Sequence, residues 1–124
     1  MTVQVKPLTI SRMSKDAYLN AVDKGFHHNE DGSEDDIGIP GRLALVHSEV
    51  SEALEEDRKG HAPGYIYYRE SDGKPEGFLA ELADVVIRIG DMVGKYGLED
   101  EFESMVGKKM AFNTTRPYRH GKKY

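Results

Sequence analysis

The chain has 124 residues, 22 acidic against 17 basic, a net charge of −5 and no cysteine. That length fits one domain over residues 1–124, and the charge lacks the basic footprint of a nonspecific nucleic-acid binder. Disulfides and thiolate metal sites are excluded. No apolar run approaches the roughly 18 residues of a membrane span, and Met1-Thr-Val-Gln lacks a signal peptide's hydrophobic region, so a soluble cytoplasmic protein is expected. With 38% hydrophobic and 31% charged residues the core is lean, and oligomerisation through an apolar face is expected to supplement it.

Pro7 and its β-branched and polar neighbours predict an extended segment over residues 1–10. A first helix is expected from Ser14, read as its N-cap, with Tyr18, Ala21, Val22 and Phe26 at helical spacing and a stop at Gly25. Asn20 and His27 lie on or near it. A hydrogen-bonded structural role is preferred for both over reaching a functional rim. His27 to Ile39 is an acidic, glycine-containing loop that lacks the alternating acid order of a calcium loop, and it reads as solvated and mobile.

Pro40 is expected to open a second helix that runs to about Lys59 and stops at Gly60. Its apolar stripe is Leu43, Val46, Val50, Ala53 and Leu54. Between Gly60 and Lys74, the run Tyr65 to Tyr68 and the turn signal Ser71-Asp72-Gly73 allow a small β-hairpin near 65–75. Those tyrosines are expected to cover the bundle end or an oligomer interface, with stacking on a nucleobase as the sharper alternative. Pro75 is read as the start of a third helix ending at Tyr96, before Gly97. Its stripe is Phe78, Leu82, Val85, Ile89, Met92, Val93 and Tyr96. A fourth helix, Leu98 to Phe112, carries Leu98, Phe102, Met105, Val106, Met110 and Phe112, with Gly107 weakening it. The fold class is all-α, an antiparallel four-helix bundle.

Two acidic signatures border the stripes of the second and third helices. Glu49-x-x-Glu52 with Glu56, and Glu81-x-x-Asp84 with Asp91, occupy arcs of roughly 60° and roughly 80°, because a helix turns about 100° per residue. Packing the two stripes together carries both acidic edges to one rim. Acidic i, i+3 pairs are ordinarily solvated surface. Here, however, the pattern occurs twice beside apolar residues, and of Glu49, Glu52, Glu81 and Asp84 only Asp84 has a cation, Arg88, four residues on. A bound cation is the better account. Four carboxylates without Cys or His suit Mg²⁺, with Mn²⁺ as its substitute, and no Glu-x-x-His occurs to make a di-iron site. Magnesium completes its shell with phosphates, so the site predicts a polyphosphate substrate. Lys109 and Asn113, one helical turn apart, together with Arg116 and Lys122 in the basic end, are the groups that can grip it.

The E-x-x-E, spacer, E-x-x-D order, with 28 residues between Glu52 and Glu81, resembles the metal signature of the MazG-type all-α NTP pyrophosphohydrolases. Lys109-x-x-x-Asn113-x-x-Arg116 followed by His120-Gly121-Lys122 resembles the phosphate-binding end of MazG-like and dimeric dUTPase-like members. The resemblance covers Leu43 to Tyr124. It implies the MazG-like fold and a homodimer or homotetramer. It also implies hydrolysis of a nucleoside triphosphate between the α- and β-phosphates, giving monophosphate and pyrophosphate. Glu49, Glu52, Glu81 and Asp84 would be the metal and catalytic residues, and Lys109, Asn113, Arg116 and Lys122 the substrate-binding ones. Glu56 and Asp91 remain open between supporting the ligands and plain surface. Two alternatives stand beside this: a phosphoribosyl-ATP pyrophosphohydrolase-like enzyme and a non-catalytic helical interaction module. No partner nucleic acid or membrane is expected.

Overall fold

The computed structural model describes residues 7–35 and 37–124. Four α-helices are present among them: α1 (Ile10–Asp23), α2 (Gly38–Arg58), α3 (Phe78–Lys95) and α4 (Glu99–Asn113). A two-stranded antiparallel hairpin, β1 (Tyr67–Tyr68) and β2 (Pro75–Glu76), stands between α2 and α3, and a 3₁₀ turn (Tyr118–Gly121) follows α4. The hairpin matches the expected 65–75 insertion. The extended segment expected over 1–10 lies mostly outside the described residues. No described helix is long and apolar enough to cross a membrane.

Helix α3 is the centre of the molecule: α1 and α2 both pack extensively on it, and α4 touches α1 and, more lightly, α3. The reason lies in two glycines on one face of α3. A Cβ on Gly90 would stand 2.5 Å from Met13 Sδ, and one on Gly94 would stand 2.7 Å from Tyr18 Cβ and 2.9 Å from the Ser14 carbonyl. Without those Cβ atoms α1 comes close enough for Ser14 Oγ to donate to the Gly90 carbonyl at 2.6 Å. Each interior glycine costs about 1 kcal/mol of helix propensity, which the close packing must offset. Ser14 is therefore a buried mid-helix residue and not the N-cap expected from the sequence. Thr9 caps α1 instead, its hydroxyl accepting from the Arg12 amide at 3.1 Å.

The start of α3 also differs from expectation. Pro75 and Glu76 pair with Tyr68 and Tyr67 as β2, and the helix begins only at Phe78. Gly77 separates the two with φ 122°, and a Cβ there would meet the Tyr65 carbonyl at 2.4 Å. Only glycine permits both that backbone and that crossing. The expected glycine stops hold: Gly25, Gly60 and Gly97 each follow a helix with positive φ. Helix α2 begins at Gly38, two residues before Pro40.

The largest departure concerns the stripe of α2. Leu43, Val50 and Leu54 are 45%, 50% and 56% exposed, and only Ala53 of the expected set is buried. The face that α2 turns inward carries Arg42, Glu49, Ala53 and Glu56, and its charged members are tolerated there because each has a partner. Helix α4 likewise buries no residue fully, with Phe102 and Val106 half-buried and Met105, Met110 and Phe112 exposed. The accessible surface is 9610 Å², against about 6,700 Å² for a compact monomer of 13.9 kDa.

Candidate metal centre

Glu49 lies in the middle of α2, and Glu81 and Asp84 lie in the first turns of α3. Packing of the two helices brings them together. Each offers a carboxylate oxygen, and these atoms lie within 4.8 Å of one another. Glu52 is exposed and stands outside that trio, but it lines the same cavity of about 340 Å³. All four acids expected from the sequence thus share one cavity, three of them at ligand distance.

The electrostatics agree with the crowding. Burial, then the Asp84 charge, pushes the Glu81 carboxyl above the usual carboxylate range, with Glu49 and Glu52 adding to it. Asp84 is raised by burial and then by Glu49. Lys74 opposes both shifts from the hairpin. Glu81 is 8% exposed and sits at the N-terminus of α3, where the helix dipole favours negative charge. Arg88 does not close onto Asp84 four residues before it. Its Nε donates to Glu49 Oε1 at 2.7 Å, tying α3 to α2, and among the described residues Glu81 and Asp84 have no direct ion pair.

Glu56 and Asp91, left open by the sequence, both have structural partners. Glu56 is buried and accepts from His61 Nδ1 at 2.6 Å and from the Tyr67 hydroxyl at 2.8 Å. These two bonds hold its carboxyl below the usual range, and the same carboxylate pushes the Tyr67 phenol up to about 12. Asp91 accepts from the buried His27 at 2.6 Å, and the Tyr18 ring meets His27 edge-on. His27 has the structural role expected of it. The loop after it is solvated as expected but closed on itself: His28 bridges Glu34, and Arg42 Nη2 donates to both oxygens of Asp35 at 3.0 and 2.9 Å.

A second cavity of about 310 Å³ opens between α1, α2 and α3 and shares Glu49 and Asp84 with the first. Its walls are mainly apolar, with Phe26, Ile37, Leu45 and Met92, and they carry Asn20, Arg42 and Asp91 as polar points. Tyr65 and Tyr67 stack on each other and His61 meets both rings edge-on; Tyr67 lines the acidic cavity, and neither tyrosine lines this second one.

The expected phosphate-binding residues lie elsewhere. Lys109 and Asn113 are exposed on α4, Arg116 stands over the Phe112 ring at 5.9 Å, and Arg116 and Lys122 line a separate, basic hollow with Arg119 and His120. None of the four lines the acidic cavity, and α4 makes no contact with α2. Besides Arg88 on Glu49 and Lys59 on Glu56, the chain brings Lys74 to the acidic cavity, a cation that sequence reasoning missed. Its signal was its place: directly before Pro75, in the hairpin that joins the two acidic helices. No family model matches the chain, and no curated protein or solved structure matches it significantly.

Proposed function

We propose that this protein is a Mg²⁺-dependent nucleoside triphosphate pyrophosphohydrolase of MazG-like fold, cleaving between the α- and β-phosphates. The observation that carries the proposal is the convergence of Glu49, Glu81 and Asp84 within 4.8 Å from two helices. An oxygen-only donor set of this kind fits Mg²⁺ or Mn²⁺ and not Zn²⁺. The raised Glu81 and Asp84 carboxyls are consistent with this reading: burial raises both first and the neighbouring carboxylates second, and a divalent ion would relieve that second part. When bound, the ion would offset phosphate charge and acidify the attacking water.

The chain's own residues divide the remaining work. Glu49, held by Arg88, and Glu81, anchored in the first turn of α3, are the fixed ligands, with Asp84 one turn on. Glu52 lines the cavity outside the trio and is the carboxylate free to take the water's proton. The adjoining 310 Å³ cavity shares Glu49 and Asp84, so a nucleotide with its phosphates over the acids would lay its sugar and base there. Phe26 offers an apolar face to a base, and Asn20 a hydrogen-bonding amide. Lys109, Asn113, Arg116 and Lys122 stand apart from the acids of their own chain, and under this reading they act across a subunit interface. The accessible surface in excess of a compact monomer, together with exposed Leu43, Val50 and Leu54, supports a homodimer or homotetramer.

A panel of nucleoside triphosphates with Mg²⁺, read for pyrophosphate, tests the proposal. Monophosphate and pyrophosphate should form in equal amounts, and Glu81→Gln should abolish both. In ¹⁸O-labelled water the label should enter the monophosphate. Orthophosphate and nucleoside diphosphate as first products would refute the assigned bond, and absence of any divalent-ion effect on turnover or melting would leave a helical interaction module.

A further inference from the structure

We propose that Lys74 is a further substrate-positioning residue, its ammonium gripping the phosphates of a nucleotide that lies over Glu49, Glu81 and Asp84. This inference rests on the nucleotide reading above and names the cation that the acidic cavity itself provides. Lys74 lines that cavity together with the four acids. Lys59 is the other lysine on its walls and is engaged with Glu56 at 3.9 Å. Lys74 has no carboxylate within ion-pairing distance among the described residues, so its charge acts on Glu81 and Asp84 at longer range. The backbone that carries its flexible stem is held in place by the hairpin.

Three attachments fix it. The Lys74 amide donates to Asp72 Oδ1 at 3.1 Å, and the Lys74 carbonyl accepts from the Arg69 amide at 2.9 Å. Arg69 Nε in turn donates to Asp72 Oδ1 at 2.9 Å, which locks the turn from within. The hairpin base is tied to α2 by the Tyr67–Glu56 bond, and it crosses tightly at Gly77 before α3 begins. Lysine is a point charge on a flexible stem, suited to meeting an anion that enters from solvent. With ions on the carboxylates and Lys74 lining the same cavity, a polyphosphate would be held by groups of one chain.

Removing the charge must therefore move two affinities in opposite directions. A metal ion loses a repelling neighbour, whereas the nucleotide loses an attracting one. In Lys74→Met, Mn²⁺ binding followed by electron paramagnetic resonance should tighten about threefold at low salt. The KM of the Mg²⁺-nucleotide should rise about tenfold with kcat little changed, and Lys74→Arg should restore most of it. Unchanged KM in an active Lys74→Met protein overturns the role of Lys74 and leaves the hydrolase reading intact. Weakened Mn²⁺ binding together with raised KM also overturns it, because that pair marks a disturbed hairpin. If the wild type hydrolyses no nucleotide, the hydrolase reading fails and takes this inference with it.

Discussion

Replacing Glu81 by Gln should make the metal-free protein more stable and the metal-loaded protein less so. Three carboxylate oxygens within 4.8 Å give, at that separation, about 3.5 kcal/mol of repulsion per pair at an effective dielectric of 20 and about 0.9 in bulk water. Glu81 takes part in two of the three pairs. The site is half-open, so a relief of about 2 kcal/mol, near the aqueous end of that range, is expected. For a domain of this size that corresponds to a rise in Tm of roughly 6–8 °C in EDTA at neutral pH. Saturating Mg²⁺ acts the other way: about 2.7 kcal/mol of stabilisation at a hundred times Kd for the wild type, and little for the variant. The two melting curves should exchange order on adding the ion. The pH dependence has a fixed sign. Burial, first, raises the Glu81 and Asp84 carboxyls, so their cost is fully present above the folded-state range and disappears on acidification. The wild-type deficit in EDTA should shrink as the pH falls. An unchanged or lower Tm for Glu81→Gln in EDTA, with helical content intact, would refute the crowding on which the metal assignment depends.

Further outcomes follow from other contacts. Gly94→Ala should destabilise by about 1–3 kcal/mol in denaturant unfolding, because the new methyl meets the Ser14 carbonyl and Tyr18 Cβ of α1. Gly107→Ala, with nothing within 4 Å, should instead stabilise by about 1 kcal/mol, and equal effects at the two sites would contradict the packing of α1 on α3. In an ultraviolet titration Tyr67 should ionise near 12, and Glu56→Gln should bring it down toward the ordinary tyrosine value; no movement would mean that the hairpin is not held by this carboxylate. Removal of residues 115–124 should leave helical content nearly intact and raise KM for the nucleotide, and full retention of kcat/KM would make the basic end a mere terminus.

What was legible in the sequence was the chemistry that repeats at helical spacing. Glu49, Glu81 and Asp84 meet, and Glu52 lines the same cavity, because i, i+3 periodicity fixes a helix face. Glycine stops and the hairpin were legible for the same local reason. Starts were less so. Ser14 has the chemistry of an N-cap, yet its hydroxyl serves better against the Gly90 carbonyl, and Thr9 takes the cap. Pro75 fits a first helical turn equally well as a strand residue, and Gly77 decides between them through a crossing with the Tyr65 carbonyl that no local pattern encodes. Arg88 pairs with Glu49 across 39 positions instead of with Asp84 at four, a choice made by the packing of α3 on α2.

The inward face of α2 shows why apolar periodicity alone misplaced the core. Leu43, Val50 and Leu54 form as good a stripe as Arg42, Glu49, Ala53 and Glu56, and burial of apolar area favours the former by about 1.5–3 kcal/mol per side chain. The helix nonetheless turns its charged side to α3, and it can do so only because Arg42 has Asp35, Glu49 has Arg88 and Glu56 has His61 and Tyr67. Removing one member of such a pair leaves a charge uncompensated; a fully buried pair would lose about 3–5 kcal/mol, and the half-open Arg88–Glu49 pair, with side chains 37% and 15% exposed, about 1–2. Arg88→Met is thus expected to destabilise metal-free protein more than Leu54→Ala does, although leucine at position 54 is the residue a hydrophobic pattern would rank first. The apolar side of α2 is left exposed, and under the proposed oligomer, in which a second copy would cover it, the acidic site and the outward stripe arise from the same rotation of one helix. Val50→Asp should accordingly shift the sedimentation of the protein toward monomer while Mn²⁺ binding persists. An unchanged oligomer, or loss of the ion together with assembly, would separate what this rotation joins.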